Sequence, residues 1–496
     1  MASDTSQQEM QQVLQKAWDA FHVYRNFSLR QRAGFMRAIA AELDACGDGL
    51  IRTAMRETNL PEARLRGERA RTIYQLESYA AACEKGDWLE ARIDTALPEK
   101  NPPKPDIRKM LVPLGPVVVF GASNFPFAYS TAGGDTASAF AAGCPVIVKG
   151  HPAHPDTSEQ VAEAILRAAQ HTGMPEGVFS HVTGISYEVG KTLVTHPYCK
   201  AVGFTGSFAG GKQLFDWASQ RPEPIPVFAE MGSVNPVFLL PEKLSQSAPE
   251  IAAMYAGSIT LGVGQFCTNP GLLIGVESEA LQQFIHDLGK AIRQCIPGLM
   301  LHQGIACAYS RNREAALMQE NVHLVAEPEN GSGEEDSLYG QPTLATVDGK
   351  TFLGNPLLHK EVFGPYSLVV RCASEAEMLE VARQLEGQLT CTLMATDEEV
   401  RSHTELVNAL KNLCGRLIWN AVPTGVEVCL SMQHGGPFPA STDARFGSVG
   451  ADAIKRFARP LAFQNWPDAL LPDELKNGNP LGIWRTVNNE PTRMSL

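Results

Sequence analysis

The sequence predicts an α/β protein: two domains built on parallel sheets, with a small proline-rich appendage. Helix-type and strand-type patterns alternate along most of the 496 residues. The strand-type runs are short, apolar and rich in β-branched residues, and several end in glycine and a small polar residue, as buried parallel strands do. Residues 89–108 break the alternation, being polar and carrying Pro98, Pro102, Pro103 and Pro105.

In chain order, the opening MASDTSQQEMQQ is polar and acidic, with no apolar core behind a basic leader. Residues 29–46 place Leu29, Ala33, Met36, Ala40 and Leu43 on one helical stripe. Ser28 and Gln31 have capping-box spacing, and Gly47 suits the stop. A second helix is expected around Arg64 to Ala80, then the excursion at 89–108. LVPLGPVVVFGASNFPF (111–127) reads as a strand running into a turn that ends at Asn124. GCPVIVKG (143–150) is a second strand, followed by a helix from Thr157 that stops at Gly173-Met174-Pro175. VFSHVTG and AVGFTGS continue the βα style, and PVFAEMGSVNPVFLL, GLLIGV, YSLVV, TCTLMAT and GRLIWN carry it onward. A helix over 375–385 follows Ser374, which with Glu377 again has capping-box spacing, and NGSGEEDSLYG (330–340) reads as a solvated loop.

Composition narrows the function classes. Lys and Arg total 42 against 54 Asp and Glu, a formal charge of −12, so a nucleic-acid partner is not expected. No run reaches about 18 uninterrupted apolar residues, so no membrane span is expected. Eleven cysteines, an odd number without CxxC pairs or zinc spacing, point to free thiols, a reducing cytoplasm and no metal site.

A few residues stand out chemically. Cys267 lies in GVGQFCTNPG, where glycines and a proline suggest a tight turn exposing the sulfur; the alternative is a small buried hydrophobe. Glu230 ends an apolar strand beside Gly232, either as a solvated strand end or as a general base. Asn124 closes another strand, where its amide can donate to an oxyanion. Lys149 ends VIVKG and Glu361 lies in HKEVFGPY. Together these groups fit one reaction, oxidation of an aldehyde through a thioester.

Five segments, in order and spread over nearly the whole chain, resemble motifs of the NAD(P)-dependent aldehyde dehydrogenase superfamily. Asn124 in SNFPF resembles its oxyanion asparagine, Lys149 its adenosine-ribose lysine, and Phe204-Thr205-Gly206-Ser207 its FTGS turn. Glu230 resembles the general base, Cys267 the nucleophile, and Glu361 with Phe363 the nicotinamide-ribose clamp. The resemblance thus implies Cys267, Glu230 and Asn124 as the catalytic set, and Lys149, Ser123, Gly190, Gly206, Ser207, Glu361 and Phe363 as the cofactor-binding set. It also implies a cofactor domain at 1–88 and 109–229, rejoined by about 427–457, and a catalytic domain at 230–426. Oligomerisation elements at 89–108 and 458–496 imply a homodimer or homotetramer.

Two positions depart from the family pattern: Pro152 stands where many relatives carry a glutamate toward the adenosine 2′-hydroxyl, and Phe208 where a threonine often follows the serine. Use of NADP alongside NAD is therefore expected. KGHPAHPDTS, QHGGPFPAS and RFARPLAFQNWP resemble the α-ketoglutaric semialdehyde (2,5-dioxopentanoate) dehydrogenase subgroup, which also resembles a bacterial fatty aldehyde dehydrogenase. A semialdehyde carboxylate needs a cation near the pocket mouth. Arg56, Arg64, Arg66, Arg69 and Arg71 are candidates by their clustering, with a solvated helix face as the alternative. A CoA-acylating relative of the same fold is the chemical rival.

Overall fold

The structure, a computed structural model, describes residues 4–329 and 338–496. Most of the loop expected at 330–340 lies outside these residues; Tyr339–Gly340 pairs with Gly298–Leu299.

Five parallel strands form the first sheet, in the order Phe179–Val182, Val146–Lys149, Val117–Phe120, Ala201–Thr205, Val227–Glu230. The chain lays down strands outward from Val117–Phe120 in one direction, then returns to its other side with Ala201–Thr205. That reversal opens a crevice at the C-terminal strand ends, where doubly wound sheets hold ligands. A second sheet of seven strands runs His323–Ala326, Thr343–Asp348, Tyr366–Cys372, Leu272–Val276, Val237–Leu239, Gln388–Met394, Cys414–Trp419. Only its first strand is antiparallel. The third sheet is the appendage, ordered Ala458–Gln464, Ile107–Pro113, Arg92–Asp94, Arg485–Val487, Glu490–Thr492.

Local signals account for most boundaries. Helix Leu29–Ala45 starts at the Ser28–Gln31 capping box, and Gly47, at φ 58°, redirects the chain into helix Gly47–Thr58. Helix Pro155–His171 begins two residues before the expected Thr157, because the Glu57 carboxylate accepts from the N–H groups of Asp156 and Thr157, each at 2.9 Å. At Ser374 half of the box forms: its hydroxyl accepts from Glu377, while the Glu377 carboxylate turns to the Ala373 N–H.

Two expected single strands are divided. LVPLGPVVVF breaks at Gly115: Leu111–Pro113 belong to the appendage sheet, Val117–Phe120 to the first. PVFAEMGSVNPVFLL supplies Val227–Glu230 to the first sheet and Val237–Leu239 to the second. Helix Gln7–Tyr24, not foreseen, covers the first sheet with Met10, Leu14 and Ala17 buried. All eleven cysteines are free. Among the described residues no helix is long and apolar enough to cross a membrane.

Candidate active site

The link Met231–Pro236 carries the chain from one sheet to the other and fixes the segment around Cys267 against it. Asn235 sits at φ 47°. Its amide donates to the Cys267 carbonyl at 2.8 Å and the Asn269 carbonyl at 2.9 Å. Before Cys267, three successive residues take left-handed backbone: Gly262 at φ 54°, Val263 at 58° and Gly264 at 63°. For β-branched Val263 that conformation is strained, at a cost of about 1–3 kcal/mol. Gly264 is required, since a Cβ there would come within 2.3 Å of the Gly364 backbone. The strained turn delivers Cys267 between the two sheets, half-buried rather than exposed as expected.

Glu230 ends the last strand of the first sheet and is buried. The Ser448 hydroxyl donates to its Oε2 at 2.5 Å. His434 Nε2 stands 2.9 Å from Glu230 Oε1 and 3.5 Å from Cys267 Sγ. Apart from this imidazole contact, Oε1 has no hydrogen-bond partner among the described residues. Burial alone would raise the Glu230 carboxyl, but the nearby imidazole and Ser448 outweigh it and hold it below the ordinary range. Burial, then the charge of Glu230, push the Cys267 thiol well up. At rest the pair is therefore thiol plus carboxylate. The donor atoms of Glu230, Cys267 and His434 lie within 4.8 Å of one another. A thiophilic divalent cation bound there would occupy the sulfur.

His434 is absent from the expected site. The one signal for it was QHGGPFPAS, which contains it but gives no local reason to aim it at a thiol.

Asn124 follows the strand Val117–Phe120, and its amide donates to the Gln265 carbonyl at 3.1 Å, two residues before Cys267. Ser123 sits beside it, half-buried. Glu361 packs so closely that a Cβ on Gly232 would meet its Oε2 at 2.5 Å. Glu361 and Phe363 line a crevice with Ser233, Phe266 and Asn269. Asn124 and Glu361 thus adjoin the Cys267 segment. Of the remaining expected residues, Lys149, Gly206 and Ser207 lie at other strand ends and Gly190 in helix Tyr187–Thr195. Ser207 caps helix Phe208–Ser219 by accepting from the Gly210 N–H at 3.3 Å. A Cβ on Gly206 would strike the Phe204 ring at 2.6 Å, and one on Gly190 would touch the Phe120 ring at 3.4 Å. Phe208 packs edge-on against Phe438, ring centres 6.0 Å apart.

Lys149 is lowered by burial, partly offset by Asp4. That carboxylate accepts from the N–H groups of Ile185 and Ser186 at 2.7 and 3.2 Å. Pro152 is exposed and bears no charge, but the neighbourhood is not free of carboxylate.

Burial raises Glu361 to about 7, against an ordinary 4.5. The folded state thus holds this proton more tightly than the unfolded chain. The associated stability is complete below about 4.5 and is lost as pH rises through about 7. Glu361→Gln is expected to remove that loss, on the order of 3 kcal/mol at alkaline pH. Melting temperatures of both proteins across the neutral range check this; parallel pH profiles would contradict it.

The chain is 49% identical over 483 residues to a protein of Azospirillum brasilense named alpha-ketoglutaric semialdehyde dehydrogenase 2, covering 97% of this chain and 91% of that one. It is 45% identical over 493 residues to alpha-ketoglutaric semialdehyde dehydrogenase of Acinetobacter baylyi, covering 99% and 93%. Glyceraldehyde-3-phosphate dehydrogenase from Methanocaldococcus jannaschii, solved with NADP, shares the fold at TM-score 0.77 and 20% identity, over 93% of this chain and 95% of that one. The family description "Aldehyde dehydrogenase family" matches residues 1–454, and the chain belongs to that family.

Proposed function

We propose that this enzyme oxidises α-ketoglutaric semialdehyde to 2-oxoglutarate, with NAD or NADP, through a thioester on Cys267. The observation that carries the chemistry is the convergence of a thiol, a buried carboxylate and an imidazole where the two sheets meet. The two relatives at 45% and 49% identity carry the substrate.

The residues fit a dinucleotide. Glu361 is a half-buried carboxylate suited to ribose hydroxyls, Lys149 a half-buried cation at the strand ends, and helix Phe208–Ser219 an N-terminus that favours phosphate. When bound, NAD(P) supplies the hydride acceptor. The chain supplies the rest. His434 and Glu230 Oε1 stand where either can take the thiol proton as Cys267 attacks the aldehyde carbon. The Asn124 amide, released from the Gln265 carbonyl, donates to the oxyanion, a contact typically worth about 2.7–4 kcal/mol. After oxidation, Glu230 takes a proton from the water that hydrolyses the thioester. A CoA-acylating enzyme needs no such base, so a glutamate in this place argues against that rival.

We assign cofactor binding to 1–88 and 109–229 with 427–457, catalysis to 230–426, and self-association to 89–108 and 458–496. Trp466, Leu470, Leu481 and Trp484 are exposed on the C-terminal segment, apolar surface that a second copy would cover in a homodimer or homotetramer. Free thiols and a keto-acid product fit a cytoplasmic enzyme of sugar-acid breakdown.

The deciding assay measures NAD(P)H formed from α-ketoglutaric, succinic and glutaric semialdehydes against hexanal and decanal, with each cofactor. The semialdehydes are expected to have the higher kcat/KM, with NADP accepted alongside NAD. Preference for decanal would move the protein to fatty aldehydes.

A further inference from the structure

Helix Glu62–Lys85 turns a polar stripe inward. Arg64, Glu68, Arg71 and Gln75 follow one another at helical spacing and line the face toward residues 124–130. The other clustered arginines point away. Arg56 pairs with Asp156 at 2.9 Å, Arg66 with Asp48 at 2.8 Å and Glu62 at 2.7 Å, and Arg69 donates to the Gly47 carbonyl. The solvated-face reading holds for Arg56 and Arg66; Arg69 is largely buried against Gly47, and Arg64 and Arg71 turn toward residues 124–130.

Arg64 is held on several sides. Its guanidinium carbon lies 4.8 Å from the ring centre of Phe125 and 4.6 Å from that of Phe266. These rings are the neighbours of Asn124 and Cys267 in sequence. Nη2 donates to the Asn124 carbonyl at 2.9 Å. Nη1 lies against Gly262, where a Cβ would come within 2.6 Å of it. This Nη1 is buried with no hydrogen-bond partner among the described residues, and the same holds for Arg71 Nε and Glu68 Oε2. Arg71 packs over the Tyr129 ring at 5.4 Å and donates to its hydroxyl at 3.2 Å. The Glu68 carboxylate is occupied on Oε1 by the N–H groups of Phe127 and Ala128, at 2.8 and 3.0 Å. Two cations thus face one engaged carboxylate, beside the nucleophile.

A buried donor left unmade is costly, and a guanidinium clamped between aromatic rings has already lost its rotamer freedom. Both properties suit a site that waits for an anion. We infer that Arg64, with Arg71 behind it, binds the carboxylate of the 2-oxo acid substrate and so selects a semialdehyde over an aliphatic aldehyde. The inference rests on the proposed substrate class.

The test compares α-ketoglutaric semialdehyde with pentanal, which has the same chain length and no acid, in the full-length enzyme and in Arg64→Gln. The expected result is a fall of about 100-fold in kcat/KM for the semialdehyde, mainly through KM, with pentanal changed less than about threefold. Inhibition by 2-oxoglutarate weakens in parallel. Arg64→Lys keeps the charge but loses the planar fork, and is expected to fall between. Arg71→Gln, read the same way, carries the test where Arg64→Gln fails to fold. Equal loss for both aldehydes would show that Arg64 only supports the Asn124 loop and would overturn the clamp. A wild-type enzyme that prefers the semialdehyde, with variants that keep the preference, overturns the clamp alone. A wild-type enzyme that prefers pentanal overturns the substrate reading as well.

Discussion

Cys267→Ala is expected to abolish aldehyde oxidation, by about 10⁴-fold or more, while the melting temperature and cofactor binding stay close to wild type. The covalent route has no substitute in this site, because neither the Glu230 carboxylate nor the His434 imidazole can carry the acyl group through the same reaction. The other ten thiols (eleven less one) stay in place, so substantial turnover in the variant would remove Cys267 from the role. The thiol is raised by burial and by Glu230, so the reactive thiolate is a minor form in the free enzyme. Wild-type kcat/KM should accordingly climb as pH rises through the alkaline range. Alkylation of Cys267 by iodoacetamide should accelerate over that range too, and substrate should protect it.

Much of the fold was legible because the determining contacts are local. The Ser28–Gln31 box and the apolar stripe behind it need nothing beyond one helix. Val117–Phe120 and Val146–Lys149 are strands buried between layers, and their β-branched runs say so. The division of PVFAEMGSVNPVFLL was not legible, since the break at Met231–Pro236 is enforced from outside it. Gln388 accepts from the Val234 N–H at 2.8 Å, and Asn235 reaches the Cys267 carbonyl, both contacts between segments far apart in sequence. For the same reason the arginine cluster was visible while its inward half was not: spacing puts Arg64 and Arg71 on one face, and only packing decides which face is buried. His434 lies in the irregular stretch between Trp419 and Ala451, where periodicity carries no information. It enters the site through its neighbours, with Ser448 donating to its carbonyl from the backbone at 2.7 Å.

The second large effect separates two steps that one residue could serve. Glu230→Gln keeps the side-chain shape and an oxygen for the Ser448 hydroxyl, so the buried site should stay packed. What it loses is the acceptor strength of Oε1, which apart from the His434 imidazole has no hydrogen-bond partner among the described residues. His434 remains 3.5 Å from the thiol and can still take its proton, so thioester formation should survive. Deacylation has no comparable replacement, and steady-state turnover is expected to fall by about 10²–10⁴-fold, the usual contribution of a positioned base. The signature is a rapid burst of NAD(P)H approaching one equivalent per active site, followed by slow turnover. In the wild type the neighbouring imidazole and hydroxyl hold Glu230 below the ordinary carboxyl range. The base therefore stays ionised as pH falls toward the usual carboxylate values, and deacylation should resist acid better than thiol attack does. A burst that disappears together with turnover in Glu230→Gln would give the thiol proton to Glu230 instead. The double variant with His434→Gln then apportions the roles: loss of the burst only when both are changed means that the two acceptors share that proton, whereas loss with His434→Gln alone assigns it to the imidazole.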